Sequence, residues 1–185
     1  MEPIVYENIL NDQEQNEIKN IMTSDTFNWN MIMSTIDPHE RETIDDPNIY
    51  DDFPTFFHTF YESGKQSPVF DMAKSILDKF TSRTNIKLTE ILRIRANLVT
   101  CSKSKPGQYT LPHWDTYEDG NKDLDFMILL YYVIDSDGPT YIFDTNKKID
   151  PNQGKFVLFK NQKHAASFPI ENNLRIVINF NIRFM

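Results

Sequence analysis

A chain of 185 residues with 39% apolar and 13% aromatic content can bury a core of its own, which excludes disorder for most of its length. A formal net charge of -8 argues against a nucleic-acid partner, because phosphate backbones are held by clustered Lys and Arg. One cysteine, Cys101, excludes an internal disulfide and any cysteine-based zinc site.

The opening MEPIVYENILNDQEQ has neither a basic n-region nor a continuous apolar run, and the longest apolar stretch, 126–134, is too short to span a bilayer. The expectation is a soluble cytoplasmic protein with no membrane partner. It should form one domain over 1–185, with 1–90 as mainly helical and loop support and 91–185 as a β core. Asn11 or Asp12 can cap a helix from about Gln13 to Met22, with Ile18, Ile21 and Met22 as its apolar stripe. Phe27 and Trp29 read as core anchors of an extended segment. Residues 37–54 mix turn formers with Asp37, Glu40, Glu42, Asp45, Asp46 and Asp51, which fits a solvated loop or an acidic rim facing substrate. The aromatic run 53–61 must pack against something. Ser67 as N-cap and Pro68 at the first helical position predict a second helix, with Val69, Met72, Ala73, Ile76 and Phe80 on its apolar face.

From about Leu92 the period shortens to two. Segments 94–99, 126–133, 141–143, 155–159 and 175–184 are strand-like, and turn signals at 105–107, 118–121, 137–139 and 151–154 separate them. Many short strands with such turns predict a mainly β sandwich or barrel with flanking helices, not an alternating βαβ fold.

The chemistry concentrates in His113-Trp114-Asp115, His164 and Arg175. Two imidazoles and one carboxylate can occupy one face of a metal ion and leave positions open, the pattern of non-haem Fe(II) oxygenases. On a strand His113 and Asp115 would share a face, and a loop after 155–159 can return His164 beside them. Arg175 opens the last strand as a cation for a carboxylate-bearing co-substrate. There Arg175, Val177, Asn179 and Asn181 alternate with Ile176, Ile178, Phe180 and Ile182, so the first series is expected to line a cavity. His58 reads as a hydrogen-bonded core histidine, His39 as a solvated one and Cys101 as a packing residue. No Gly-rich phosphate loop and no Gly-x-Ser-x-Gly elbow occur.

In order, RIRANL, PHWD, DFMILLYYVIDSDGPTYIFD and GKFVLFKNQKHAASFPIENNLRIVINFNI resemble the Fe(II)/2-oxoglutarate-dependent oxygenases, in particular their prolyl 4-hydroxylase-like branch. The resemblance is best over 92–184. It implies a double-stranded β-helix, a cupin-like jelly-roll whose open mouth holds the metal. It also implies that His113, Asp115 and His164 hold Fe(II) and that Arg175 binds the distal carboxylate of 2-oxoglutarate. Tyr132 would add a hydroxyl to that carboxylate, Tyr131 would face the other side of the sheet, and Asn97 would lie near the co-substrate. Two departures stand out: Asp137 replaces one glycine of a frequent Gly-Gly-x-Thr turn, and Ile134 replaces a common asparagine. The implied reaction consumes O2 and 2-oxoglutarate, releases succinate and CO2, and hydroxylates a C–H bond of a peptide, with a peptidyl proline first in view, or of a small molecule. The alternatives are a same-fold oxygenase acting on a free amino acid, nucleobase or lipid-like metabolite, and a non-catalytic jelly-roll binding module.

Overall fold

The structure is a computed structural model that describes residues 1–33, 46–50, 54–101, 104–115, 125–172 and 174–185. Most of the acidic segment 37–52, together with His39 and the 118–121 turn, lies outside the described residues. Asp46 is described: its carboxylate accepts from the Asn48 backbone N–H at 2.9 Å and from the Tyr109 hydroxyl at 3.0 Å.

Helix α1 (Asp12–Met22) starts where the capping residues dictate. The Asn11 side chain accepts from the Glu14 backbone N–H at 3.0 Å, and the Glu14 carboxylate accepts from the Asn11 N–H at 2.9 Å, a reciprocal capping box. Ile18 and Met22, four residues apart, are buried, whereas Ile21 is 43% exposed because it lies a step of rotation off their common face. Helix α2 (Phe70–Thr84) begins two residues later than Ser67 and Pro68 suggest. The Ser67 hydroxyl is engaged by His58 Nε2 at 3.1 Å, so no side chain caps this helix. Asn85 ends it in the left-handed conformation, φ 56°. Ala73, Ile76, Leu77 and Phe80 form the buried face, and Leu77 is an addition to the stripe expected from sequence.

Eleven strands are described: β1 (Ile4–Tyr6), β2 (Asn30–Ile32), β3 (Thr55–Glu62), β4 (Lys65–Gln66), β5 (Leu88–Thr100), β6 (Met127–Tyr132), β7 (Thr140–Ile142), β8 (Lys147–Ile149), β9 (Phe156–Lys160), β10 (His164–Ala166) and β11 (Leu174–Phe184). The large sheet runs β1-β9-β6-β11-β5-β3-β2, with β4 paired to β3, and the small sheet runs β10-β7-β8. Residues 1–90 therefore supply four whole strands, not helix and loop support alone. Strand β5 is longer than the 94–99 segment because β11 pairs with it along its whole length, out to Leu88. No described helix is long and apolar enough to cross a membrane.

Alternation along β11 divides the core in two. Ile176, Ile178, Phe180 and Ile182 join Ile76, Leu77 and Phe80 of α2 in one apolar cluster under the helices. Val177 faces the other way, with Leu130, Tyr132, Val157 and Phe159 of the large sheet and Ile142 and Ile149 of the small one. Tyr131 goes with the helical side, its ring 4.8 Å from Phe156, while Tyr132 points between the sheets. His58 is the expected hydrogen-bonded core histidine: Nδ1 donates to the Asn28 carbonyl at 2.8 Å and Nε2 accepts from Ser67. Cys101 is exposed, so the packing role expected for it does not hold.

Asp137, the departure from the glycine pair, has a structural task. Its carboxylate accepts from the backbone N–H groups of Ile170 at 3.0 Å, Glu171 at 2.7 Å and Asn172 at 3.2 Å. Partial burial tends to raise this carboxyl, but the three donors outweigh it and hold it below the usual carboxylate range. Its stabilisation is thus complete above the unfolded-state pKa and lost as pH falls through the lowered folded value. Asp137→Ala should cost about 1 kcal/mol, the typical value for a lost cap on an exposed side chain. Chemical denaturation at pH 7 and at a series of lower pH values checks this, the difference between variant and native shrinking as pH falls through the lowered folded value.

Candidate metal centre

The two histidines are opposed across a strand pairing. His113 N–H donates to the His164 carbonyl and His164 N–H to the His113 carbonyl, both at 2.9 Å, which sets the rings 4.6 Å apart. Only His113 of the His-Trp-Asp triplet is in this pairing, as an isolated bridge, so the shared strand face expected for His113 and Asp115 is not what unites them. Asp115 is carried back by Asn161, whose carboxamide accepts from the Asp115 N–H and donates to its carbonyl, each at 3.0 Å. Donor atoms of His113, Asp115 and His164 then lie within 4.8 Å of one another, the one such cluster among the described residues.

Each candidate ligand is held by a second contact. Nδ1 of His113 donates to the Leu111 carbonyl at 2.9 Å, and Nδ1 of His164 donates to the Gln162 carbonyl at 2.8 Å. Both imidazoles therefore present a bare Nε2 to the centre, 3.7 and 3.8 Å from Asp115 Oδ1. Asp115 Oδ2 is occupied on its other side by Asn179 at 2.7 Å and Asn181 at 2.9 Å, with Arg93 3.6 Å away. Burial pushes the His164 imidazole down to about 4, so it is neutral at neutral pH. Burial would raise the Asp115 carboxyl, but His164, Arg93, His113 and Asn179 together hold it at about 2. An ionised carboxylate and neutral imidazoles are the states a divalent cation requires. This donor set fits Fe(II).

Asn161 was not singled out from sequence, and Asn179 and Asn181 were read as part of the β11 face expected to line a cavity, not as a cradle for one carboxylate. Asn161→Ala should lower metal affinity about 10–100-fold, the usual effect of losing an outer partner of a ligand, with little change in melting temperature. Competition with a calibrated chelator measures it.

A cavity of about 520 Å³ opens beside the triad. Its large-sheet wall carries Arg93, Arg95 and Asn97 from β5, Leu130 from β6, and Arg175, Val177 and Asn179 from β11; Thr140 and His164 come from the small sheet. Arg175 is buried, its Nε donating to the Gly138 carbonyl and one terminal nitrogen to Thr140 Oγ1, both at 2.7 Å. Gly138 is needed there, since a Cβ would come within 2.7 Å of the Ser167 carbonyl oxygen. Among the described residues Arg175 has no carboxylate partner, so an acidic neighbour does not explain its burial. Burial pushes its guanidinium down while Tyr132 opposes this; arginine remains charged all the same. Asn97 lines the cavity. Tyr132 is not among the lining residues: its hydroxyl is 2.7 Å from Thr140 Oγ1, and Thr140 is the group that faces the cavity. Trp114 stands half exposed on the wall, with Lys163 Nζ 5.4 Å from its ring.

No family model and no curated protein matches this chain. Solved structures do. A viral collagen prolyl hydroxylase from Paramecium Bursaria Chlorella virus-1, in complex with 2-oxoglutarate, is 17% identical with a TM-score of 0.56, the match covering 99% of this chain and 96% of that one. A 2OG-Fe(II) oxygenase family oxidoreductase from Burkholderia pseudomallei is 10% identical with a TM-score of 0.67, covering 97% and 84%. HygX from Streptomyces hygroscopicus, with nickel, 2-oxoglutarate and hygromycin B bound, is 15% identical with a TM-score of 0.59, covering 97% and 82%. Two antiparallel sheets facing one another, helices on the outer face of the larger, and these likenesses along nearly the whole chain identify the fold as the double-stranded β-helix of the 2OG-Fe(II) oxygenases.

Proposed function

We propose that this protein is an Fe(II)- and 2-oxoglutarate-dependent dioxygenase that hydroxylates a C–H bond. The observation that carries the reading is the pairing of two features in one cavity: three candidate metal-ligand side chains brought within 4.8 Å of one another, and a buried guanidinium with no carboxylate partner among the described residues. His113, Asp115 and His164 would hold the iron, and Arg175 would receive the distal carboxylate of 2-oxoglutarate as a charge-assisted pair. Iron with 2-oxoglutarate and O2 supplies the oxidising chemistry, with succinate and CO2 as co-products. The chain's own share is positioning and exclusion of water. Thr140, held by the Tyr132 hydroxyl, fixes the angle of Arg175. Asn179 and Asn181 hold Asp115 so that Oδ1 is the ligand oxygen.

Two of the similar structures differ in what they act on or bind: collagen for the viral enzyme, hygromycin B for HygX. Peptide and small-molecule substrates are both compatible with this scaffold, because specificity is built on the cavity wall and not on the fold. The test is direct. Anaerobic addition of 2-oxoglutarate to the Fe(II)-loaded protein should produce a weak visible charge-transfer band, and admitting O2 should release succinate. Stoichiometric iron binding with neither band nor succinate would overturn the proposal in favour of a binding module.

A further inference from the structure

Among the described residues, one cation on the cavity wall has no carboxylate within ion-pair distance. This step rests on the function proposed above. The two positive charges of Fe(II) and the two negative charges of 2-oxoglutarate cancel. Three guanidiniums remain on the wall, those of Arg93, Arg95 and Arg175. Asp115 offsets one charge from 3.6 Å away from Arg93, and Glu62, 3.9 Å from Arg93, offsets a second. Among the described residues no carboxylate pairs with Arg95, and its buried Nε has no hydrogen-bond partner. An unmatched charge partly removed from water is costly unless a ligand supplies the counter-charge.

The position of Arg95 separates it from the co-substrate's cation. In the β5–β11 register Arg95 lies opposite Asn179, whereas Arg175 lies opposite Val99. Four residues along a strand is about 13 Å, so the two guanidiniums are rooted at opposite ends of the cavity wall. Asn179 is also the residue that holds Asp115, which puts the base of Arg95 beside the metal triad. The guanidinium carbon lies over the Phe57 ring, 4.0 Å from its centroid, a cation–π contact that limits where the group can turn. Such a group is preorganised to receive a planar or tetrahedral oxyanion.

We infer that the primary substrate carries an oxyanion, a carboxylate or a phosphate, that Arg95 receives near the metal centre while Arg175 holds the co-substrate. The contrast with the chain as a whole strengthens this: a protein of net charge -8 concentrates three arginines on one cavity wall. Arg95 is thereby a specificity residue that selects anionic over neutral molecules and disfavours cationic ones.

The experiment uses the full chain loaded with Mn(II) and saturated with N-oxalylglycine, an inert 2-oxoglutarate analogue. The probes are phenyl phosphate, carboxyl-labelled benzoate and benzyl alcohol, and the readout is paramagnetic relaxation of the probe nuclei, with no turnover required. At least one anion should bind saturably and about tenfold or more tighter than benzyl alcohol, the low end for a charge pair that is only partly buried. Which anion binds tells phosphate from carboxylate. Arg95→Gln should remove that preference, and Arg95→Lys should retain part of it, with analogue affinity unchanged in both. Equal binding of all three probes to the native protein overturns the inference, and needs no variant to fold. Displacement of the analogue by the anion, or loss of analogue affinity in Arg95→Gln, assigns Arg95 to the co-substrate site and overturns it as well. Failure of the analogue itself to bind overturns the function proposed above and this inference with it.

Discussion

His113→Ala is expected to abolish stoichiometric Fe(II) binding and to leave the melting temperature nearly unchanged. Under the proposed function His113 would contribute a ligand from a half-exposed side chain, so its loss opens no buried cavity. The affinity loss should exceed the roughly 10–100-fold expected for outer partners such as Asn161, because a coordinate bond is removed outright. Asp115→Ala provides the contrast. That carboxylate is buried and is the acceptor for both Asn179 and Asn181, so removing it strands two buried amides as well as the metal. Its cost to stability should be on the order of 2–4 kcal/mol, one to two for each unsatisfied donor. Isothermal titration with Fe(II) under argon and thermal melting of the metal-free proteins separate the two effects. Retention of stoichiometric, tight iron binding by either variant would show that the triad is not the metal site.

Arg175→Gln should leave metal binding nearly intact and weaken 2-oxoglutarate by about 2–5 kcal/mol, the range for truncating one partner of a buried, hydrogen-bonded charge pair. At 1.4 kcal/mol per tenfold, even the lower figure is more than an order of magnitude in Kd. Arg175→Lys should recover part of the loss, since the charge is kept while the planar fork that reaches both Gly138 and Thr140 is not. The geometry sharpens the expectation. Nε and one terminal nitrogen are already committed to protein acceptors, which fixes the guanidinium plane before any ligand arrives. Titration of the metal-loaded variant by charge-transfer absorbance or by calorimetry gives the number. Equal affinity in variant and native protein would remove Arg175 from the co-substrate site.

That His113, Asp115, His164 and Arg175 would meet at one cavity was legible because residue type and order carry it. A histidine two residues before an aspartate, a second histidine after a hydrophobic strand, and an arginine opening the last strand are local statements that survive in one dimension. Period-two alternation likewise displayed the two faces of β11 and the opposite orientations of Tyr131 and Tyr132, since side-chain direction along a strand follows from backbone geometry alone. The helix cap at Asn11 was a local signal of the same kind, while the reciprocal bond from Glu14 is a finding of the structure.

Other features depend on partners distant in sequence, and only the folded chain decided them. Ser67 reads as a helix cap but serves His58 across a turn, because a buried imidazole competes for the same hydroxyl. Asp137 reads as a departure from a glycine turn, and its three backbone donors lie more than thirty residues away. Asn161 clamps Asp115 from 46 residues off, and Asn179 and Asn181 complete its cradle from still further along the chain. Residues 88–100 show an Arg-x-Arg-x-Asn alternation in the sequence, but only pairing with β11 puts Arg95 opposite Asn179 and Val99 opposite Arg175. The sequence by itself determined which groups could do the chemistry and which face of each strand they share. Tertiary structure alone decided which of the described charges lie within ion-pair distance of one another and that Arg95 has no such carboxylate among the described residues, because ion pairing depends on distances that strand register sets and residue order does not encode.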